Sequence, residues 1–273
     1  MKQTKIDRTA SILIFSDLDG SILDRETFKF DQIKDYILEL LSNQIILIPS
    51  SSKTEREILE FNKQLGLDLP FISENGAVIN GLNLINQNFP DKIILSRDLA
   101  ELNKIFNSIV PKALNEKCFF ISDMTKKDQI RILGLEKNHL RNALDRKYTI
   151  PFIFKGNKIE KNKLMKILKS NSLSIQEGGR VINLGDNTNK VKSMNQVLKI
   201  FKKIEKNIKV ISVGDNLNDL DMIRNSDIPC LVFNDQFKQD QINIDNLIVS
   251  NKPSPQGWAD VIKKALAKLN YNV

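Results

Sequence analysis

Residues 11–21 read SILIFSDLDGS, an apolar run that stops abruptly on two carboxylates. Such a run predicts a parallel strand covered on both faces, with its functional groups at the carboxyl end. Asp17 and Asp19 stand at i and i+2, so on an extended chain both point the same way. Gly20 then permits a tight turn. Behind Asp31, a natural N-cap, Ile33, Tyr36, Ile37, Leu40 and Leu41 recur at helical spacing. A second strand, QIILIPSS, follows. Thr54 and Glu57 form a capping box ahead of a helix carrying Ile58 and Leu65. PFISENGAVI predicts two short strands around Glu74, Asn75 and Gly76. This alternation opens a doubly wound parallel α/β sheet, Rossmann-like in its winding.

Between about Gly81 and Gly185 the rhythm breaks. Strand candidates IILS, CFFIS, PFIFKG and VINLG alternate with helices near Leu99–Ile109, Asp128–Leu133 and Asn162–Ser170. We read this stretch as an inserted α+β domain. The parallel pattern then returns with a helix from Lys190, the strands VISVGD and CLVF, and a last helix. That helix places Trp258, Val261, Ile262, Ala265 and Leu269 on one face. The expected organisation is a core of residues 1–83 and 186–273 with an insertion at 84–185, hinged near Asn86 and Gly185. A chain of 273 residues is long enough for two cores.

Charge narrows the partners. The 41 basic residues exceed the 33 acidic ones, for a net charge of +8. In KIFKKIEKNIK and VIKKALAKL the lysines spread along helices without interleaved aromatics, which describes solvated faces rather than a nucleic-acid stripe. A basic protein still attracts small anions such as phosphate esters. The apolar cluster Ile45–Ile48 is far too short to cross a membrane, and MKQTKIDRTA lacks the apolar stretch of a signal peptide. Cys118 and Cys230 sit in strand-like runs, as buried thiols of a reducing compartment would. A cytoplasmic protein is expected.

A second acidic strand end, VISVGDNLND, carries Asp215 and Asp219. Carboxylates gathered at neighbouring strand ends suit magnesium, a hard cation that takes oxygen ligands. DLDGS, the serine hydroxyls closing strand two, Lys190 opening a late helix, and GDNLND occur in that order over nearly the whole chain. Together they resemble the four motifs of the haloacid dehalogenase (HAD)-like phosphatases. The insertion resembles the α/β cap of the sugar-phosphatase branch. SSKTERE, ISENGAVI, ALDRKYTIPF, EGGRVINLGD and PSPQGW are similar to segments of mannosyl-3-phosphoglycerate phosphatases. Two positions depart from that pattern: Ile150 stands where an acidic residue precedes the proline, and no histidine lies near Asn183. Glucosyl-3-phosphoglycerate therefore stands beside the mannosyl ester as a substrate.

The resemblance implies a role for each residue. Asp17 is the nucleophile, and Asp19 is the general acid and base. Magnesium takes Asp17, Asp215 and the backbone carbonyl of Asp19, with Asp219 orienting a metal-bound water. Ser51 and Lys190 hold the phosphoryl group, Lys190 being preferred to Lys192 because it matches the motif position. Ser52, Lys53, Asn75, Gly76 and Arg180 are the candidate substrate contacts. Arg180 suits the glycerate carboxylate, and Arg146 could do the same work. His139 reads as solvent-facing and Trp258 as core. The implied activity is magnesium-dependent release of phosphate from a glycosyl-3-phosphoglycerate through an aspartyl phosphate, leaving the free glycosylglycerate, a compatible solute. A general sugar-phosphate phosphatase or a phosphosugar mutase is the alternative within the superfamily. A nucleic-acid-binding module would have no need of Asp17, Asp19, Lys190 and Asp215 together.

Overall fold

In the computed structural model, which describes residues 12–177, 180–205, 207–235 and 242–271, the first apolar run is a fully buried strand, β1 (Ile12–Ser16). It leads to α1 (Asp31–Ser42), β2 (Ile46–Pro49), α2 (Glu55–Leu65), β3 (Phe71–Ser73), β4 (Val78–Asn80) and β5 (Lys92–Ile94). The middle of the chain forms α3 (Leu99–Ile109), α4 (Lys112–Asn115), β6 (Cys118–Phe120), α5 (Lys126–Leu133) and α6 (Lys137–Ala143). It continues with β7 (Thr149–Phe154), α7 (Lys158–Ser170), β8 (Leu173–Glu177) and β9 (Ile182–Asp186). The last stretch comprises α8 (Lys190–Phe201), β10 (Lys209–Gly214), α9 (Leu220–Arg224), β11 (Ile228–Leu231), β12 (Ile248–Val249) and α10 (Gln256–Lys268).

The main sheet has the order β12-β11-β10-β1-β2, and each pairing is parallel. Alternation along β1 sends Ile12 and Ile14 into a cluster with α1, α2 and α10, which includes Ile37, Phe61 and Trp258. Leu13 and Phe15 point the other way, into a cluster with Ile79, Met194 and Phe201 from β4 and α8. Helices therefore cover both faces, and the core is a doubly wound α/β sheet.

The inserted domain has its own antiparallel sheet, β6-β7-β9-β8. Phe152, Leu184 and Leu173 on one face of that sheet meet Phe106 of α3 and Leu164 of α7 in a separate core. Two details differ from the sequence expectation. The IILS run falls within the stretch expected to be inserted, yet β5 pairs with β4, and Ile85 and Phe89 pack into the cluster under the main sheet. We propose that the first crossing lies after Ile94 and the return between Asp186 and Lys190. Strand β8 was not anticipated, because LSIQE alternates apolar and polar residues as an edge strand does and has no continuous apolar run.

Segment 142–149 seats the insertion on the core. Glu74, only 3% exposed, accepts hydrogen bonds from the backbone N–H groups of Lys147 (2.9 Å) and Tyr148 (3.1 Å) and from the Thr149 hydroxyl (2.6 Å). Thr54 caps α2 and also donates to the Asn142 carbonyl (2.8 Å). Arg56 pairs with Asp145 at 2.8 Å.

Candidate active site

Strand β1 lies between β10 and β2, at the point where the strand order reverses, and segments leaving the carboxyl ends of β1 and β10 border a crevice above it. Asp17, Asp215 and Asp219 meet there, all buried, with one oxygen of each within 4.8 Å of the others. Lys190 opens α8 behind the Asn189 cap and is 1% exposed. Its ammonium donates to Asp17 Oδ1 at 2.6 Å and to Asp219 Oδ1 at 2.7 Å. Asp219 Oδ2 accepts the backbone N–H groups of Asp215 and Asn216, each at 3.2 Å. Asp219 is thus engaged by the chain itself, whereas Asp17 and Asp215 line the cleft.

Burial dominates the electrostatics. It pushes the Asp17 carboxyl up to about 7, against the pull of Lys190, with the Asp219 and Asp19 charges adding to the rise. Burial, and then the charges of Asp17 and Asp219, also raise Asp215 well above the usual carboxylate range. Lys190 is also moved up: its two carboxylate partners outweigh burial and strengthen its hold on the proton. Two buried carboxylates that resist ionising side by side, with oxygen the only donor atom, are the chemistry a hard divalent cation stabilises. Asp215 is steadied by Asn234, whose amide donates to its carbonyl (3.0 Å) and to Oδ2 (3.2 Å), and by the Arg25 guanidinium on Oδ2. Gly20 makes this closeness possible, because a Cβ there would lie 2.3 Å from Asp215 Oδ2.

The remaining sequence candidates fall into two groups. Asp19, Ser52, Lys53, Arg146 and Arg180 line the cleft with Asp17 and Asp215. Lys53 lies 2.9 Å from Asp19 and 3.5 Å from Glu57. Arg146 reaches from the inserted domain to the Ser52 carbonyl (3.2 Å) and to the Thr149 hydroxyl (2.9 Å). Arg180 is an exposed rim residue that bonds the Leu133 carbonyl. The Phe28 ring has Lys53 at 4.8 Å and Arg180 at 5.7 Å.

Ser51 is fully buried just past the end of β2, where its hydroxyl accepts the Lys53 N–H (3.2 Å). Asn75 and Gly76 lie beneath α8 rather than in the cleft. The Asn75 N–H donates to the Ser51 carbonyl (2.9 Å), and the Ser193 hydroxyl donates to the Gly76 carbonyl (2.7 Å). Gly76 has φ +94°, and a Cβ there would come within 2.3 Å of the Asn189 carbonyl. The physical consequence is positional: this turn carries the start of α8, and with it Lys190. Lys192 is exposed and bonds the Asn187 carbonyl, and His139 is exposed. Trp258 is fully buried, and its ring N–H donates to Ser16 Oγ (2.9 Å), which donates to the Asp17 carbonyl (2.8 Å).

Arg25, Phe28, Glu74 and Asn234 are the site residues that sequence reasoning missed. Arg25 and Phe28 belong to a polar loop after Gly20 with no periodicity to mark them, and Glu74 reads as an ordinary turn residue. Asn234 did carry a signal, since it follows a buried apolar strand as Asp17 does.

The family of haloacid dehalogenase-like hydrolases matches residues 14–251, almost the whole span from β1 to the last strand. The chain belongs to that family. This hydrolase is an enzyme of the phosphoric monoester hydrolase class. It is 30% identical over 271 residues to the glucosyl-3-phosphoglycerate/mannosyl-3-phosphoglycerate phosphatase of Persephonella marina, covering 94% of this chain and 98% of that protein. The protein of the same description from Methanococcoides burtonii is 26% identical over 276 residues, with coverage of 94% and 98%. A HAD-superfamily phosphatase structure from Bacteroides thetaiotaomicron superposes with a TM-score of 0.68 at 14% identity, covering 96% of each chain. The sucrose-phosphatase of Synechocystis, solved with sucrose and phosphate, superposes at 0.62 and 15% identity, covering 97% of this hydrolase and 100% of that chain. These two structures show the shared fold. Among the described residues of the hydrolase, no helix is long and apolar enough to cross a membrane.

Proposed function

We propose that this hydrolase is a magnesium-dependent, cytoplasmic phosphatase of glucosyl- or mannosyl-3-phosphoglycerate, releasing phosphate and the glycosylglycerate. One observation carries the chemistry: Asp17 and Asp215 face the cleft from neighbouring strand ends, with Lys190 bonded to Asp17. Both named relatives carry the substrate assignment. The cations Lys53, Arg146 and Arg180 around the cleft suit an ester that bears a carboxylate as well as a phosphate.

Asp17, Asp215 and the Asp19 backbone carbonyl would hold the magnesium ion, which screens the repulsion between carboxylate and phosphoryl oxygens when bound. The Asp17 carboxylate attacks phosphorus, forming an aspartyl phosphate as the ester P–O bond breaks. Lys190 and the Ser51 hydroxyl steady the charge on the phosphoryl oxygens. The Asp19 side chain, held by Lys53, protonates the departing glycerate oxygen. It then takes a proton from the water that cleaves the aspartyl phosphate, which restores Asp17 and frees phosphate. The inserted domain, seated through Glu74 and Arg146, excludes bulk water from this exchange.

The test is a phosphate-release screen over both glycosyl-3-phosphoglycerates and common hexose phosphates. A preference for the glycerate esters is expected. Asp17→Asn should lower kcat by about 10⁴-fold or more. Equal rates across the panel would remove the substrate assignment, and a fully active Asp17→Asn would remove the nucleophile.

A further inference from the structure

The sheet of the inserted domain has two unlike faces. Ile150, Phe152, Leu184 and Leu173 point into that domain's core. The pairing of Pro151 and Gln176 with Asn183, and of Thr149 with Gly185, places these five residues on the opposite face. Thr149 already bonds Glu74 and Arg146, and the Gln176 amide donates to the Thr188 carbonyl (2.6 Å). Asn183 is different. It lines the catalytic cleft, is 4% exposed, and its Oδ1 has no hydrogen-bond partner among the described residues. Pro151 and Gly185, its neighbours on that face, have no polar side-chain group to offer the amide.

In the same cleft, Arg146 Nε is also buried and has no partner among the described residues. Buried polar atoms in folded proteins are nearly always paired, and an unpaired one at a cleft wall asks for a ligand group. An amide offers both a donor and an acceptor, and the guanidinium N–H offers a donor. Leu133, Leu135 and Val181 line the cleft beside them, supplying apolar surface for C–H groups. A polyhydroxylated ring presents both chemistries.

We infer that Asn183 is a specificity-determining residue that reads a hydroxyl of the sugar carried by the phosphate ester, with Arg146 Nε donating to the same substrate. This rests on the phosphatase reading in taking the phosphoryl group to sit at Asp17.

The experiment compares kcat/KM for wild type, Asn183→Leu and Asn183→Ser on both glycosyl-3-phosphoglycerates, glucose 6-phosphate and p-nitrophenyl phosphate, which has no hydroxyl to read. In Asn183→Leu the ratio of sugar-ester to p-nitrophenyl phosphate activity should fall about 10-fold, mainly through KM, as for one lost hydrogen bond. Asn183→Ser, which keeps a smaller hydrogen-bonding group, should fall less. An unchanged ratio in both variants overturns the inference, whether or not overall activity drops. If wild type shows no preference for glycerate esters, the proposed substrate is wrong. A selective loss on glucose 6-phosphate in Asn183→Leu would still support the role of Asn183.

Discussion

Lys190 Nζ lies 2.6 Å from Asp17 Oδ1 although 173 positions separate the two residues in the chain. The ammonium is also 2.7 Å from Asp219, and all three groups are buried. In that setting the lysine has a folding role as well as a chemical one. Removing one member of a buried ionic cluster strands the others, which typically costs about 3–5 kcal/mol. Lys190→Met should destabilise the protein by that amount in urea titration. A loss below about 1 kcal/mol would show that the carboxylates do not depend on it.

The raised Asp17 and Asp215 carboxyls fix the sign of a pH effect. Both bind a proton more tightly in the folded chain than the ordinary carboxylate value of 3.8, Asp17 at about 7. Their contribution to stability is therefore complete below about pH 4 and is lost as pH rises through the folded values. In protein stripped of divalent ions, Asp215→Asn should melt a few degrees above wild type at pH 8, and the gap should narrow at pH 5. Excess magnesium at pH 8 should raise the wild-type Tm more than that of the variant. A melting gap independent of pH would contradict the burial argument.

Arg25 lines the cleft with Asp215 and bonds its Oδ2, so it competes with any cation that Asp215 would hold. Arg25→Met should increase the Tm gain produced by a sub-saturating magnesium concentration without substrate. Titration calorimetry should show tighter magnesium binding by a few fold. Equal or weaker binding in Arg25→Met would place the ion elsewhere.

Glu74 accepts three hydrogen bonds from residues 147–149 and so anchors the inserted domain to the core. Glu74→Ala leaves those donors short of a charged acceptor, a loss of about 1.5–3 kcal/mol for each well-placed bond, reduced by whatever water enters. Limited proteolysis should then cut faster near residues 142–149, and KM should rise. Unchanged cleavage would mean that Thr54 and Arg56 suffice to seat the domain.

Much of this protein was readable before any coordinates. Apolar runs ending in acid, at Ser16–Asp17 and Gly214–Asp215, announce buried parallel strands with chemistry at their carboxyl ends, and the chain does bring Asp17 and Asp215 together. That pattern is local, because a strand covered on both faces has to be apolar throughout and can change character only where it ends. Helix α2 was equally plain, since its capping box lies within four consecutive residues. What tertiary structure alone decided was the company each side chain keeps. Asn75 and Gly76 look like substrate contacts in the sequence yet lie under α8. Arg25 carries no pattern, and it converges with Asn234 on Asp215 from distant loops. Asn183 sits in a strand like any other, and only the tertiary fold leaves its Oδ1 unpaired where the residue lines the cleft. Periodicity records which face of an element is buried; it does not record which element lies opposite, and hydrogen bonds and charge pairing depend on that.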